Sequence, residues 1–325
     1  MLDRLQDSAR LAGLRLRRRA GSVIVDSFFR GIAMAGKLHP NARPQRHGVE
    51  VVKDIPYLAD GSPDHLLDIY RPTGSDGPWP VVLYAHGGGF RILSKDTHWV
   101  MGLAFARRGF IVFNINYRLA PRHRYPAALE DTVAAFRWMI ANAGQYGADL
   151  DRLVLAGESA GANLVTSLTL CCCYQRPEPL ARSVWDTGQR PRCVIPACGL
   201  FQVSNPERFG QRRRVPAWVM DRLMEVSRAY LGDPPAATLD LADPLVVLER
   251  GQPPHRSLPP FLIQVGTRDP ILDDTRRIKA ALDQLQVPCE ARFYEGEPHA
   301  FNALVWRRQA KRAWGHTYEF LERHI

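Results

Sequence analysis

The sequence predicts an α/β fold: a mostly parallel central sheet flanked by helices, with a helical cap. Three observations carry this. From about residue 49, short β-branched runs alternate with longer helical patterns, an order that means strands joined by crossover helices packed on both faces of the sheet. Several of the runs are nearly continuous in apolar residues, as strands buried on both sides must be. They are Val81–Ala85, Phe110–Ile115, Leu153–Ala156, Val194–Cys198 and Phe261–Val265. The chain has 325 residues, 46% of them hydrophobic, so it can bury a large core without a disulfide or metal staple.

The elements follow in order. Residues 1–38 repeat apolar and basic groups at helical spacing, with Leu11, Leu14 and Leu16 and later Val23, Ile24 and Phe28. A helix packed over the body of the protein is the first reading, and a membrane-surface helix the second. This N-terminal cap segment, residues 1–45, ends near Pro40 and Pro44, and the main domain takes 46–325. Val49–Val52 and Leu66–Tyr70 read as two antiparallel edge strands, with Gly61-Ser62-Pro63 as a turn signal between them. The apolar runs come next, then a last strand at Glu290–Tyr294. Helices are expected near 98–108, 126–143, 160–174, 274–285 and 304–323. Residues 202–256 break the alternation; they are rich in proline and arginine and hold one helical run, Pro216–Tyr230. Insertions at the carboxyl ends of strands lie over the crevice where such sheets bind ligands, so this stretch is expected to be a cap insertion.

The net charge is +10, from 43 Lys and Arg against 33 Asp and Glu. The arginines are scattered apart from Arg15–Arg19 and Arg212–Arg214, and no nucleic-acid module or aromatic stacking pattern accompanies them. A solvated surface is therefore expected, with no nucleic-acid partner. No apolar run reaches eighteen residues, and the charged start of the chain is not a secretory signal, so cytoplasmic residence is the expectation. Cys171, Cys172, Cys173, Cys193, Cys198 and Cys289 form no C-x-x-C pair. Buried thiols are expected, and neither a metal site nor a disulfide framework.

The chemistry is concentrated at the ends of the strands. Gly157-Glu158-Ser159-Ala160-Gly161 follows an apolar strand and opens a helix, the context of a nucleophile elbow. There a serine sits on a strained turn, its hydroxyl pushed above the sheet, while flanking glycines remove Cβ atoms that would collide. The N–H of Ala160 lies at a helix start, aimed at developing negative charge. His86-Gly87-Gly88-Gly89-Phe90 follows the strand Val81–Ala85, and Gly87, Gly88 and Gly89 let main-chain N–H groups approach an oxyanion. A phosphate loop is the competing reading, but G-x-x-x-x-G-K is absent. His86 is expected to order this loop.

A serine hydroxyl needs a base, and the base needs an acid; after an elbow of this type they follow in the order acid, then histidine. His316 and His324 fall in a helical pattern and His255 in the insertion, which leaves His299, in Glu297-Pro298-His299-Ala300-Phe301. Asp269 stands at the carboxyl end of the strand Phe261–Val265. Asp273 and Asp274 are its rivals, but they suit the start of the next helix.

Taken together, HGGGF, Tyr117–Pro121 with Tyr125–Asp131, GESAG, the D-P-I-L-D run and the P-H-A-F run resemble the hormone-sensitive-lipase family of α/β-hydrolase esterases, over roughly residues 50–325. The resemblance implies ester substrates, no cofactor and a cap made from the N-terminal segment and the mid-chain insertion. It also implies oxyanion donors chiefly from Gly88, Gly89 and Ala160, and a loop below the catalytic residues organised by Glu158. The chain departs from the family at Glu158, where many members have Asp, and at Ala162 and Ala300, where Gly is usual. The expected function is a serine carboxylesterase acting on short- to medium-chain esters of small molecules. An amide or formamide hydrolase, a membrane-surface lipase and a non-catalytic receptor are the alternatives. A homodimer is left open.

Overall fold

The alternating runs pair into one eight-stranded sheet in the computed structural model, which describes residues 27, 31, 33–74, 77–212, 215–232 and 238–325. The strands are β1 (Val49–Pro56), β2 (Leu66–Pro72), β3 (Trp79–Ala85), β4 (Ile111–Ile115), β5 (Ala148–Glu158), β6 (Cys193–Ala197), β7 (Phe261–Gly266) and β8 (Cys289–Tyr294). Their spatial order is β1-β2-β4-β3-β5-β6-β7-β8. From β4 to β8 every pairing is parallel. Of the two strands expected at the edge, only β1 is the edge. β2 lies between β1 and β4, antiparallel to both, with Ile69 opposite Val52 on one side and Phe113 on the other.

Side chains of successive strand residues point to opposite faces, and β3 divides the core accordingly. Val82 and Tyr84 join Val112, Val154, Phe105, Trp314 and Phe320 on one face. Val81, Leu83 and Ala85 join Phe113, Leu155, Phe136, Leu168 and Ile278 on the other. The first face is covered by α1 (Trp99–Ala106) and, near the C-terminus, the helix Arg308–His324, whose Trp314 meets Phe105 edge-on at 5.2 Å. The second face carries α2 (Ala127–Asn142), α3 (Ala160–Cys173) and the helix Leu272–Gln284.

Every residue of α3 is buried, the mark of a helix enclosed on all sides. This is why Cys171, Cys172 and Cys173, which point in three directions, all reach the core as free thiols. Three further helices were not foreseen: α4 (Pro179–Trp185), α5 (Arg208–Arg212) and α7 (Pro244–Glu249). Each spans two turns or fewer, too short for an apolar period to register. Between α5 and α7 lies α6 (Ala217–Leu231), at the position expected from the sequence. The helices Leu272–Gln284 and Arg308–His324 are α8 and α9.

Most of the segment expected to form an N-terminal cap, including the basic run Arg15–Arg19, lies outside the described residues. Of the remainder, residues 33–37 are helical, and the Trp99 indole donates a 3.0 Å hydrogen bond to the Ala33 carbonyl, tying this segment to α1. No helix among the described residues is long and apolar enough to cross a membrane.

Candidate active site

The elbow is built by close approach of backbone. Ser159 adopts φ 54° and ψ −114°, a left-handed conformation that a non-glycine residue adopts only under compensation from its surroundings. That compensation is visible. The Ser159 N–H donates to the Ala197 carbonyl at 2.9 Å, and the Ser159 carbonyl accepts from Leu200 at 3.3 Å. A Cβ at Gly161 would stand 2.1 Å from the Ala85 carbonyl oxygen, and one at Gly157 would stand 2.6 Å from that of Gly161. Both glycines of the motif are therefore required by contact with β3 and with each other.

The three residues expected to cooperate come together. His299 Nε2 lies 2.9 Å from Ser159 Oγ, and its Nδ1 lies 2.8 Å from Asp269 Oδ2. Asp269 is fully buried, and its Oδ1 accepts the N–H of Ile271 at 2.9 Å. The loops carrying the acid and the base are bonded to each other: Arg268 N–H donates to the Glu297 carbonyl at 3.0 Å, and Gly296 N–H to Thr267 Oγ1 at 2.9 Å. Ala300, in a position where glycine is usual in the resembling family, has φ 55°, a value that glycine adopts without strain. Burial works against protonation of His299, but the Asp269 charge and hydrogen bond outweigh it, with help from Glu158. The imidazole pKa is raised above its ordinary 6.5.

The rival carboxylates are occupied elsewhere. Asp274 is buried, accepts the N–H groups of Phe201 and Gln202, and pairs with Arg208 at 2.7 Å. Asp273 pairs with Arg276 at 3.0 Å within the first turn of α8. Both begin that helix, as expected.

The glycine loop divides its donors. The N–H groups of Gly88 and Gly89 have no partner among the described residues, and both residues line the cavity above Ser159. Gly87 departs from the expectation: unlike Gly88 and Gly89 it does not line the cavity, and its N–H faces the His98 ring, 3.4 Å from Nε2, so it serves the loop rather than the cavity. Gly88 has φ +113°, and a Cβ there would strike the Ile92 carbonyl oxygen at 2.0 Å, so only glycine fits the turn. His86 is fully enclosed, stacks on Tyr117 with ring centroids 4.2 Å apart, and contacts the Gly87 carbonyl through Nδ1 at 2.7 Å. Burial, with the neighbouring His98, pushes its pKa down to about 3, so it stays neutral and positions the loop. Glu158 sits beneath, its Oε1 3.0 Å from His98 Nε2.

Sequence reading missed three contributors. His98 had no motif to mark it. Val226 and Tyr230, on α6, reach the glycine loop from the insertion: Val226 packs on Gly89, and Tyr230 stacks on Phe90 at 3.7 Å with planes 7° apart. The sequence reading placed a helical run at Pro216–Tyr230 but singled out neither residue. The cavity measures about 1770 Å³ and is bordered by α1, α6, the Ser159 elbow, the His299 loop and residues 33–42.

With this geometry in hand, the relatives are informative. A sequence profile for the alpha/beta hydrolase fold matches residues 82–303. The chain belongs to the α/β-hydrolase family. It is 33% identical over 270 residues to "Esterase LipI" of Mycobacterium tuberculosis, covering 81% of this chain and 76% of that one. In structure it is similar to an esterase of the bacterial hormone-sensitive lipase family (TM-score 0.72, 25% identity, 98% of this chain and 97% of that one). It also shares its fold with a bacterial heroin esterase (TM-score 0.78, 22% identity, 94% and 92% coverage). Within the α/β hydrolases, then, this chain is an esterase of the hormone-sensitive-lipase type, as its motifs suggested.

Proposed function

We propose that this α/β hydrolase is a serine carboxylesterase that cleaves short- to medium-chain carboxylic esters of small molecules through an acyl-enzyme on Ser159. The observation that carries this reading is the unbroken contact from Ser159 Oγ through the His299 ring to buried Asp269, at 2.9 and 2.8 Å. His299 takes the hydroxyl proton as Ser159 Oγ attacks the ester carbonyl carbon, and Asp269 stabilises the imidazolium that forms. The carbonyl π electrons move to oxygen, where the N–H groups of Gly88, Gly89 and Ala160 receive the negative charge. Collapse of this intermediate breaks the bond to the alcohol oxygen, which leaves with the proton from His299. Water then repeats the sequence on the acyl-enzyme, releasing the acid and restoring Ser159.

The insertion at 202–256 acts as a cap in this reading, supported by the seating of α6 on the glycine loop. We read residues 1–45 as the second part of that cap, supported by the bond from Trp99 to Ala33. Six free cysteines suit a reducing cytoplasm.

The test is Ser159→Ala on a soluble p-nitrophenyl ester. Turnover is expected to fall by roughly 10⁴-fold or more, with the circular dichroism spectrum unchanged, and a fluorophosphonate probe should label the wild type on the peptide containing Ser159. A variant that keeps most of its turnover would overturn the assignment.

A further inference from the structure

The cavity above Ser159 is apolar along its walls and one-signed at its borders. Among the described residues its lining includes five cationic side chains, Arg107, Arg222, Arg268, Arg307 and Lys311, and one carboxylate, Glu158. Glu158 is buried and committed to His98, so it does not offset them at the surface. Arg307 is paired with Glu297 at 3.2 Å, and Arg222 shares Glu225 with Arg91. Arg107, Arg268 and Lys311 are exposed and form no ion pair with any described residue; Arg107 reaches only the Tyr318 hydroxyl, at 3.4 Å. Arg107 follows α1 and Lys311 stands in the first turns of α9, so both belong to the side of the cavity bordered by Trp99, Leu103, Ala104, Leu304 and Val305.

Charges of one sign around a cleft with low-dielectric walls focus their field into it and raise the local concentration of opposite charges. Apolar walls in turn hold hydrocarbon. We infer that this site selects esters whose apolar body ends in an anionic group, a carboxylate above all, remote from the ester bond. The inference rests on the esterase reading and names its substrate class. The anion is met by Arg107 and Lys311 while the carbonyl lies at Ser159.

The probe is a matched pair: mono-4-nitrophenyl suberate, with a free carboxylate, and its methyl-capped neutral counterpart. The chain is long enough that the carboxylate does not assist its own ester, and both are used below their aggregation limits. At an ionic strength of about 20 mM the anionic ester is expected to show kcat/KM roughly tenfold above the neutral one. That ratio should shrink several-fold at about 0.5 M salt, where screening acts within a few ångströms. The double variant Arg107→Gln/Lys311→Gln should lower the ratio about threefold or more, the neutral ester measured on the same preparation serving as the reference for folded enzyme.

A ratio at or below one at low salt overturns the inference, as does a ratio that ignores both salt and the double variant. A preference that emerges only above the aggregation limit overturns it too, because adsorption to aggregates would then be its cause. These failures leave the esterase reading standing provided the neutral ester is turned over and Ser159→Ala abolishes that turnover. If neither ester is hydrolysed, or the alanine variant hydrolyses them as fast as the wild type, both readings fall together.

Discussion

At the scale of single residues, the site depends on charge held where water is scarce. In the proposed mechanism His299 must be neutral to accept the Ser159 proton, and Asp269 holds its pKa above 6.5 against the opposing effect of burial. The sign follows directly. As pH falls through that raised value the imidazole becomes protonated before the reaction begins, so kcat/KM should lose activity on an acid limb whose midpoint lies above 6.5. Asp269→Asn removes the charge that raises the value while leaving the burial that lowers it. Its acid limb should therefore move to lower pH, and kcat should fall by roughly 10³–10⁴-fold. A pH–rate profile of both proteins checks this; a limb that stays in place would mean that Asp269 does not act through His299. Ser159 was legible in the sequence because backbone constraint marks its elbow, and His299 and Asp269 because they follow it in order at the ends of strands. The elbow needs glycine at 157 and 161 for contacts that any Cβ would break, and such constraints leave a motif. His98 was not legible, because an imidazole packed between Gly87 and Glu158 imposes no pattern on its own neighbours.

At the scale of elements, the glycine loop is fixed from two directions. From above, α6 places Val226 and Tyr230 on Gly89 and Phe90. From the side, the segment that follows the loop is anchored to the antiparallel end of the sheet by Lys95. Its ammonium is almost fully buried and lies 2.6 Å from Asp54 on β1 and 2.7 Å from Asp68 on β2. Burial opposes its charge, but the two carboxylates outweigh that and raise its pKa. Lys95→Met would leave the Asp68 carboxylate buried without its cation, a change expected to cost about 3 kcal/mol of stability. Urea unfolding followed by circular dichroism tests this; an unchanged midpoint would show that Lys95 is not a structural tie. The strands were readable because two-sided burial writes near-continuous apolar runs. The ion cluster was not, since Asp54, Asp68 and Lys95 meet only once β1 and β2 are paired and the loop after β3 folds back over them.

At the scale of the whole molecule, the sheet brings Ser159 and His299 into contact across 140 positions of sequence and encloses most of the cysteines. Five of the six are buried and all are free. Burial pushes the thiols of Cys171, Cys173, Cys193 and Cys289 up to about 12 and those of Cys172 and Cys198 well above their usual value. Thiols that are neither exposed nor ionised react slowly. Native protein at neutral pH should therefore keep its esterase activity through prolonged iodoacetamide treatment, whereas unfolding in urea should make all the cysteines titrate. Rapid inactivation of native enzyme would place a reactive thiol at the site and contradict this packing.

Sequence by itself determined the strand order along the chain, the elbow, the glycine loop and the convergence of His299 with Ser159 and Asp269. Each of these is a local rule of backbone geometry or apolar period, and local rules survive in a one-dimensional string. Tertiary structure alone decided that β2 is interior, that the Gly87 N–H turns away from the cavity, that α6 seats on the glycine loop, and that five cationic side chains come together in the cavity lining. Those outcomes depend on which distant surfaces meet, and contact between distant surfaces is set by the packing of the whole sheet and its helices rather than by any neighbourhood in the chain.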